Sequence, residues 1–212
     1  KLNSNNINIK YIISHLASSE EMKNKFNNFQ LKKFMKIYHL FKDIRKSLAN
    51  SSGIFLKKEF LLDMTRPGIS LYGGYGNIKI KNNIKPVIKL KSKVLQIKKV
   101  SMNQTIGYNQ TYKCKKKLYI ATIAIGYGDG MPRILSNIGH VHFKNFKAKI
   151  VGRISMDTLM VDISKFYKKI KIGDYVEIIN EKTDIEKFAK LSGTVSQDIL
   201  TSIGKRTKFI YI

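Results

Sequence analysis

A change in hydrophobic pattern near residue 83 most constrains what this chain of 212 residues can fold into. Before it, strand and helix patterns alternate, which favours βα units with a parallel sheet. After it, apolar runs of alternating pattern are separated by Gly, Asn and Asp turns, which favours a mostly antiparallel β arrangement. The sequence therefore predicts an α/β portion in residues 1–83 and a β domain in residues 84–212.

The first portion contains one long amphipathic segment, residues 20–48. Its apolar side chains recur at helical spacing, and they are Met22, Phe26, Phe29, Phe34, Ile37, Leu40, Phe41 and Ile44. Ser18 or Ser19 is the predicted N-cap, because two glutamates follow in what would be the first turn of the helix. The apolar run at 7–16 predicts a short buried strand before this helix.

The second portion ends in two helical patterns. Asp184 is the predicted N-cap of the first, and Gly193 is its predicted C-cap, since glycine tolerates the left-handed backbone found at helix ends. A second helical pattern follows in residues 196–206. We therefore expect a sheet-rich domain that closes with two short helices.

The chain has a formal net charge of +26, from 40 Lys and Arg against 14 Asp and Glu. Such a balance raises the hypothesis of nucleic-acid binding, because lysine and arginine neutralise phosphates. Only five of these residues are arginines, however, and the lysines are spread through every segment. A compositional drift toward Lys, Asn and Ile, as in an AT-rich genome, explains the charge without a partner, and we expect no nucleic-acid ligand.

Cysteine, histidine and hydropathy patterns exclude several other classes. A single cysteine, Cys114, cannot form an internal disulfide and fits a reducing compartment. The four histidines have no cysteine or carboxylate neighbours at ligand spacing, so we expect no metal site. No apolar stretch reaches the roughly twenty residues of a membrane span, and no signal peptide opens the chain. The expected location is the cytoplasm, with no membrane partner.

Five short strings carry the chemical signal. They are "NSSG" (50–53), "RPGISLYGG" (66–74), "IGYNQTY" (106–112), "IGYGDGMPR" (125–133) and "VGRISMD" (151–157). In this order and at these distances they resemble the alanine racemases, fold-type III enzymes that use pyridoxal 5'-phosphate. The resemblance implies that residues 1–83 are the last part of a (β/α)8 barrel and that residues 84–212 are the family's C-terminal β domain.

The resemblance also implies which residues of the first portion hold the cofactor. Ser51 and the backbone of Gly68 and Ile69 match the positions that bind its phosphate. Arg66 matches the arginine that faces the pyridine nitrogen; because arginine stays protonated, it donates to that nitrogen and favours racemisation over transamination. His15 matches the histidine that links this arginine to a catalytic tyrosine.

In the second portion, Tyr108 matches that tyrosine, one of two acid/base groups that flank the substrate. Tyr127 and Met156 match substrate-binding positions, and for Met156 the useful group is the backbone N–H. Arg153 is expected to form a structural ion pair. Gln197 stands where the family usually has a tyrosine that helps hold the cofactor, which weakens the restraint on the cofactor ring.

The activity implied is the interconversion of L- and D-alanine for peptidoglycan precursors, by a homodimer in which Tyr108 acts in the partner's active site. Because the chain begins at Lys1 and has no match to the family's Schiff-base lysine, we expect it to be part of a longer polypeptide and inactive alone. Three alternatives stay open: a broad-specificity amino-acid racemase, a catalytically silent remnant, and a basic nucleic-acid-binding β protein.

Overall fold

The computed structural model describes residues 8–212 of the chain. It divides into two compact units, Lys1–Lys85 and Pro86–Ile212, and each is described by itself. The division lies close to residue 83, where the hydrophobic pattern of the sequence changes. Among the described residues, no helix combines the length and the apolar character needed to cross a membrane.

The first unit is built around a strand–helix–strand element. Its parts are β1 (Tyr11–Ile13), α1 (Lys25–Leu40) and β2 (Arg45–Ser47). The two strands pair in parallel, and Met64 adds a parallel bridge to Ser47. A parallel pair needs a crossover connection, which α1 supplies, so the predicted βα unit is confirmed. Short 3-10 helices follow at Gly53–Phe55, Lys58–Phe60, Ile69–Tyr72 and Ile78–Asn83.

The predicted bounds of α1 are wrong at both ends. The helix begins after Asn24, whose side-chain oxygen accepts a hydrogen bond from the amide of Phe26 over 2.9 Å. Ser19, a predicted N-cap, instead donates its hydroxyl to Asn50. At the other end α1 stops at Leu40 with Phe41 as C-cap, and the predicted helical segment continues instead into β2, which begins at Arg45 and pairs with β1.

The prediction that the first strand is buried is also wrong for its described part. Tyr11 and Ile13 are 40% and 55% exposed, and only Ile12 packs toward the apolar cluster of this unit. That cluster is small, because one strand pair and one helix bring few side chains together. Its buried members are Leu16, Phe34, Leu48 and Phe60.

The second unit contains eight strands: β3 (Leu90–Val100), β4 (Thr105–Ile106), β5 (Tyr112–Lys113), β6 (Leu118–Ile123), β7 (His140–Phe143), β8 (Phe146–Lys149), β9 (Leu159–Asp162) and β10 (Tyr175–Ile179). Six of them form a sheet in the order β8-β7-β10-β3-β6-β9, in which each pair of neighbours is antiparallel, and β4 and β5 form a separate hairpin. An antiparallel bridge from Ile150 to Val161 joins the two ends of the six-stranded order, so this sheet nearly closes on itself.

Alternation along β3 follows the sequence pattern. Leu90, Ser92 and Val94 are buried, and Lys91 and Lys93 between them are exposed. The buried side of the sheet encloses the largest apolar cluster of this unit. The lysines of this strand therefore face solvent and leave the core apolar.

Two helices complete the second unit, α2 (Ile185–Leu191) and α3 (Ser196–Ser202). The predicted N-cap of α2 is confirmed, because the side chain of Asp184 accepts from the amide of Lys187 over 2.9 Å. The predicted C-cap, Gly193, is wrong by one residue, because Ser192 is the C-cap and Gly193 follows it with φ +69°. Further 3-10 helices lie at Tyr108–Gln110, Tyr127–Asp129, Arg133–Leu135 and Tyr167–Lys169.

Candidate active site

The predicted site residues fall into two groups, one in each unit, and the geometry of each group is described separately. The first unit holds the residues expected to bind the cofactor, which are His15, Ser51, Arg66, Gly68 and Ile69. The second unit holds Tyr108, which is expected to transfer a proton, and Tyr127 and Met156, which are expected to bind the substrate. It also holds Gln197, which replaces the tyrosine usual in the family.

Polar groups converge around Ser51 in the first unit. Its hydroxyl oxygen accepts hydrogen bonds from the amides of Gly68, at 2.8 Å, and Ser70, at 3.3 Å. The neighbouring amide of Ile69 has no hydrogen-bond partner among residues 8–212. The hydroxyl proton of Ser51 and the amide of Ile69 are the donors that remain available, and we call this pair, held in place by the amides of Gly68 and Ser70, the Ser51 cup. An anion with several oxygens, such as a phosphate ester, fits this donor set.

Arg66 lies beside this cup and is held by groups from neighbouring strands. Its amide donates to the carbonyl of Ala49 over 2.9 Å. Its guanidinium donates through Nη1 to the Ser47 hydroxyl, at 2.5 Å, and through Nη2 to the Ser14 carbonyl, at 2.7 Å. The Nε–H has no partner within the described part of the chain. Arg66 is therefore anchored at its tip and still offers a donor to a ligand.

His15 contacts two side chains. Its Nδ1 lies 3.4 Å from Arg66 Nη2, and its Nε2 lies 3.1 Å from the side-chain nitrogen Nδ2 of Asn50. The proximity of His15 to Arg66 was expected from the sequence. The contact with Asn50 was not expected, because Ser51 is the residue of the "NSSG" string to which the resemblance gives a role.

Tyr108 is presented by the short β4–β5 hairpin and is 68% exposed. Gly107 before it has φ +78° and ψ +176°, a conformation that is close to glycine-only. A Cβ at this position would lie 2.7 Å from the amide nitrogen of Arg153. The close approach of the two backbones therefore fixes where the hairpin sets Tyr108 relative to Arg153.

Tyr108 and Arg153 line one surface cavity of about 320 Å3. The other lining residues are Gly107, Ser155, Thr158 and Met160. The expected ion pair of Arg153 is wrong, because no carboxylate within the described residues lies at salt-bridge distance from its guanidinium.

Tyr127 and Met156 lie on two loops that are joined by backbone hydrogen bonds. The amide of Tyr127 donates to Ser155 over 3.0 Å, and that of Gly128 donates to the Met156 carbonyl over 2.9 Å. Both side chains are about half exposed, at 49% and 51%. The amide of Met156 has no hydrogen-bond partner within residues 8–212, so it is open to an acceptor.

Arg206 ties these two loops together and was missed by the sequence analysis. Its Nη2 donates to Asp157 at 2.6 Å, and its Nε lies 3.2 Å from Asp129. The side chain of Asp129 also accepts from the amide of Gly126. Because Arg206 lies far along the chain from both aspartates, local spacing carries no signal for this bridge.

Gln197 lies in the first turn of α3 and is exposed. Its backbone carbonyl accepts from the Thr201 hydroxyl, while its side chain has no hydrogen-bond partner among the described residues. Nothing in this unit therefore fixes the position of the Gln197 amide.

The remaining histidines form no metal centre in the described part of the chain, where no three His, Cys, Asp or Glu side chains are grouped for an ion. His140 and His142 instead both contact the hydroxyl of Thr183, at 3.2 Å and 2.9 Å. Cys114 is fully buried, and burial, reinforced by the charge of Asp162, raises the pKa of its thiol.

Comparison with known proteins assigns both units to one family. Residues 87–211 match the family model "Alanine racemase, C-terminal domain", and residues 1–76 match "Alanine racemase, N-terminal domain". The chain is 39% identical over 207 residues to the alanine racemase of Rickettsia akari, a match that covers 97% of this chain and 57% of the relative. It is 39% identical over 202 residues to a catabolic alanine racemase of Rhizobium johnstonii, covering 95% of this chain and 54% of that protein.

Solved structures agree with these matches. The crystal structure of alanine racemase from Bartonella henselae with covalently bound pyridoxal phosphate superposes with a TM-score of 0.90 at 43% identity, covering 96% of this chain and 56% of that one. Alanine racemase of Clostridium difficile in complex with cycloserine gives 0.85 at 32% identity, covering 94% and 55%. The chain thus spans a little over half the length of these relatives. Since the C-terminal family model alone matches more than half of its residues, the chain belongs to the alanine racemase family.

Proposed function

We propose that this chain forms part of a pyridoxal-phosphate-dependent racemase that interconverts L-alanine and D-alanine and supplies D-alanine for peptidoglycan precursors. The names of its relatives and the cofactor in the Bartonella henselae structure support this. The single observation in this chain that carries the proposal is the Ser51 cup beside Arg66. A phosphate cup next to a donor for a ring nitrogen is what pyridoxal phosphate requires.

Each part of this group has a function in the proposal. When bound, pyridoxal phosphate supplies a conjugated ring that makes the α-proton of an attached amino acid more acidic. The hydroxyl of Ser51 and the amide of Ile69 bind the phosphate through charge-assisted hydrogen bonds, and the amide of Gly68 holds the Ser51 hydroxyl oxygen in place. Arg66 keeps its own proton and donates through Nε to the ring nitrogen, which limits how far the ring draws electrons.

Tyr108 holds or removes the proton at one face of the substrate α-carbon. Inverting that carbon requires a second group at the opposite face, which we assign to a lysine of the family that has no counterpart among the matched residues of this chain. The phenol is exposed and lines one surface cavity together with Arg153, so a substrate can reach it.

Substrate recognition is assigned to the loops that Arg206 joins. The open amide of Met156 binds a carboxylate oxygen, and Tyr127 on the adjoining loop covers the substrate. Gln197 donates its side-chain amide toward the cofactor phosphate, with less restraint on the ring than a tyrosine gives. The active species is a homodimer in which Tyr108 acts in the partner's site.

The proposal is tested with a fusion enzyme, in which this chain is joined to the part of the Rickettsia akari relative that it does not cover. With pyridoxal phosphate, the fusion enzyme is expected to racemise L- and D-alanine, and the 212-residue chain alone is expected not to. Racemisation by the chain alone would contradict the assignment of a second group outside it. A folded fusion enzyme that binds the cofactor and leaves both enantiomers unchanged would contradict the function itself.

A further inference from the structure

Two residues in left-handed backbone conformation follow directly after Tyr108. Asn109 has φ +56° and Gln110 has φ +54°, and neither is a glycine. Residues with a side chain are disfavoured in this conformation, which persists where the surrounding structure imposes it. Within the hairpin, the amide of Gln110 donates to the carbonyl of Gly107 over 3.2 Å. Contacts from other segments are needed to hold the rest of this path of the chain.

On the N-terminal side of Tyr108, these contacts are made by close backbone packing. Ile106 is 3% exposed and belongs to a small apolar cluster. A Cβ on Gly152, which has φ +80°, would lie 2.8 Å from the carbonyl oxygen of Ile106. The residues before Tyr108 are therefore packed against the backbone of Gly152, as Gly107 is packed against Arg153.

Asn137 connects this packed region with the C-terminal side of Tyr108. Its side-chain oxygen accepts from the amide of Gly152 over 2.6 Å, and its side-chain nitrogen donates to the hydroxyl oxygen of Thr111 over 3.2 Å. A backbone N–H can only donate, so the oxygen of Asn137 must face Gly152, and a hydroxyl can accept from the nitrogen. In the described part of the chain, the bond to Thr111 is the one hydrogen bond that reaches residues 107–111 from outside the hairpin.

The turn that carries Asn137 is itself held in place. The hydroxyl oxygen of Ser136 accepts from the amide of Ile154 over 3.1 Å. The carbonyl of Gly139 accepts from the amide of Ile150 over 2.9 Å. Asn137 has φ +65°, a conformation in which asparagine occurs more often than most residues with a side chain. Hydrogen bonds on both sides of Asn137 therefore fix the position from which its side chain reaches the hairpin.

We propose that Asn137 is a positioning residue that holds the hairpin of Tyr108 in the orientation needed for proton transfer. The inference rests on the proposed function, in which Tyr108 exchanges the α-proton of the substrate. Asn137 joins Thr111, after the tyrosine, to Gly152, against which the residues before the tyrosine are packed. Proton transfer requires the phenol within hydrogen-bond reach of its target, so a looser hairpin lowers the rate more than it lowers substrate affinity.

Three substitutions test the bond from the side of the hairpin. Thr111→Val removes the acceptor and keeps the shape, whereas Thr111→Ser keeps the hydroxyl. Thr105→Val is the matched control, because Thr105 is exposed on the same hairpin and its hydroxyl has no hydrogen-bond partner among residues 8–212.

Nuclear magnetic resonance relaxation of the 15N-labelled 212-residue chain measures the mobility of the hairpin. The amides of Tyr108 and Asn109 are expected to be more mobile in Thr111→Val than in the unaltered chain, and unchanged in Thr111→Ser and Thr105→Val. Unchanged mobility in Thr111→Val, or an equal increase in Thr105→Val, would overturn the inference.

The fusion enzyme tests the consequence for the reaction. Thr111→Val and Asn137→Gly, which tolerates the left-handed backbone, are each expected to slow solvent deuterium exchange about tenfold for the enantiomer that Tyr108→Phe affects. Exchange of the other enantiomer and the KM for alanine should stay close to their original values. Adding Thr111→Val to Asn137→Gly should cause no further loss, because the bond is already absent. Equal losses for both enantiomers, or additive losses in the double variant, would overturn the inference.

The two readouts separate a failure of this inference from a failure of the proposed function. If Thr111→Val loosens the hairpin and the unaltered fusion enzyme leaves both enantiomers of alanine unchanged, the proposed function fails and the support of the hairpin by Asn137 stands. If the fusion enzyme racemises alanine and Thr111→Val changes neither mobility nor exchange, this inference alone fails.

Discussion

The amide of Gly68 donates to the hydroxyl oxygen of Ser51 over 2.8 Å, and this bond joins two loops that are separated in the chain. The hydroxyl proton of Ser51 stays available to an anion, because the oxygen is the acceptor in both of its amide contacts. In the proposed enzyme this proton and the open amide of Ile69 bind one phosphate.

Removing the Ser51 hydroxyl should therefore weaken cofactor binding. A hydrogen bond to a charged group contributes about 1.5–3 kcal/mol, so Ser51→Ala is expected to raise the Kd for pyridoxal phosphate about tenfold or more. Equilibrium titration of the fusion enzyme, followed by cofactor absorbance, measures this. Ser70→Ala is the control, because it keeps the backbone amide that faces the cup; equal affinity losses in both variants would contradict the assignment.

Gly107→Ala should destabilise the second unit through two effects. The backbone conformation costs about 1–3 kcal/mol for a residue with a side chain. The added Cβ would also lie 2.7 Å from the amide nitrogen of Arg153, which forces the two loops apart. Gly173→Ala is a matched control, since Gly173 has φ +90° with nothing within 4 Å of an added Cβ.

Urea unfolding of both variants, followed by the near-ultraviolet signal of the stacked Tyr119 and Tyr167 rings, compares these costs. Gly107→Ala is expected to lose more free energy of unfolding than Gly173→Ala. An equal loss would mean that the close approach to Arg153 has no energetic consequence.

Arg206→Ala should remove the side-chain bridge between the two loops that carry Tyr127 and Met156, while their backbone hydrogen bonds remain. The guanidinium is half exposed, so its ion pairs contribute little to global stability, and the melting temperature is expected to change little. The expected effect is a severalfold rise in KM for alanine in the fusion enzyme, because Met156 is less well positioned. Arg206→Lys keeps the positive charge but loses the planar guanidinium, which contacts two aspartates through different nitrogens, and it should give an intermediate KM. An unchanged KM in Arg206→Ala would contradict the proposal that Arg206 positions these loops for substrate binding.

His140 and His142, the two histidines of β7, should make the folded protein less stable in mild acid. Burial, followed by the charges of Lys147 and His142, lowers the pKa of His140 from 6.5 to about 4. Burial, with Lys147 and Lys182, also lowers the pKa of His142, and the charge of Glu177 opposes this. Below pH 6.5 the unfolded chain binds protons that the folded chain does not, so these groups lower the free energy of unfolding as the pH falls from 6.5 toward about 4.

Above pH 6.5 the two histidines are neutral in both states and add no pH dependence. Urea unfolding between neutral pH and pH 5 is expected to show a shallower decline in His142→Gln than in the unaltered chain. His39→Gln serves as the control, because His39 is exposed on α1 in the first unit. A decline equally steep in all three proteins would contradict the role of this pair.

Much of the second unit could be predicted because its structure follows local pattern. Strand alternation fixed the exposed side of β3, and Asp184 signalled the start of α2 through its own side chain. The helix of the first unit was predicted too long at both ends, because Ser19 had the chemistry of an N-cap but bonds to Asn50 instead. Asn50 lies in another loop, so the sequence around Ser19 does not reveal this competing hydrogen bond.

In the candidate site too, residues within short motifs could be predicted, while contacts between residues far apart in the chain could not. The order of the motifs predicted His15, Ser51, Arg66 and Tyr108 as site residues. It did not predict the hydrogen bond from Arg206 to Asp157 or the contact of the Asn50 amide with His15. Each depends on atoms brought together from distant positions, where charge and hydrogen-bond geometry decide the partner. The expected ion pair of Arg153 is wrong, and Asp129 and Asp157 pair instead with Arg206.

The central claim is that Tyr108 exchanges the proton at one face of the substrate. The measurement is the incorporation of solvent deuterium at the α-carbon of L-alanine and of D-alanine by the fusion enzyme carrying Tyr108→Phe, with pyridoxal phosphate bound. Removing one acid/base group is expected to slow exchange from one enantiomer by about a hundredfold or more and leave the other close to its original rate. Exchange that is unchanged for both enantiomers would contradict the account.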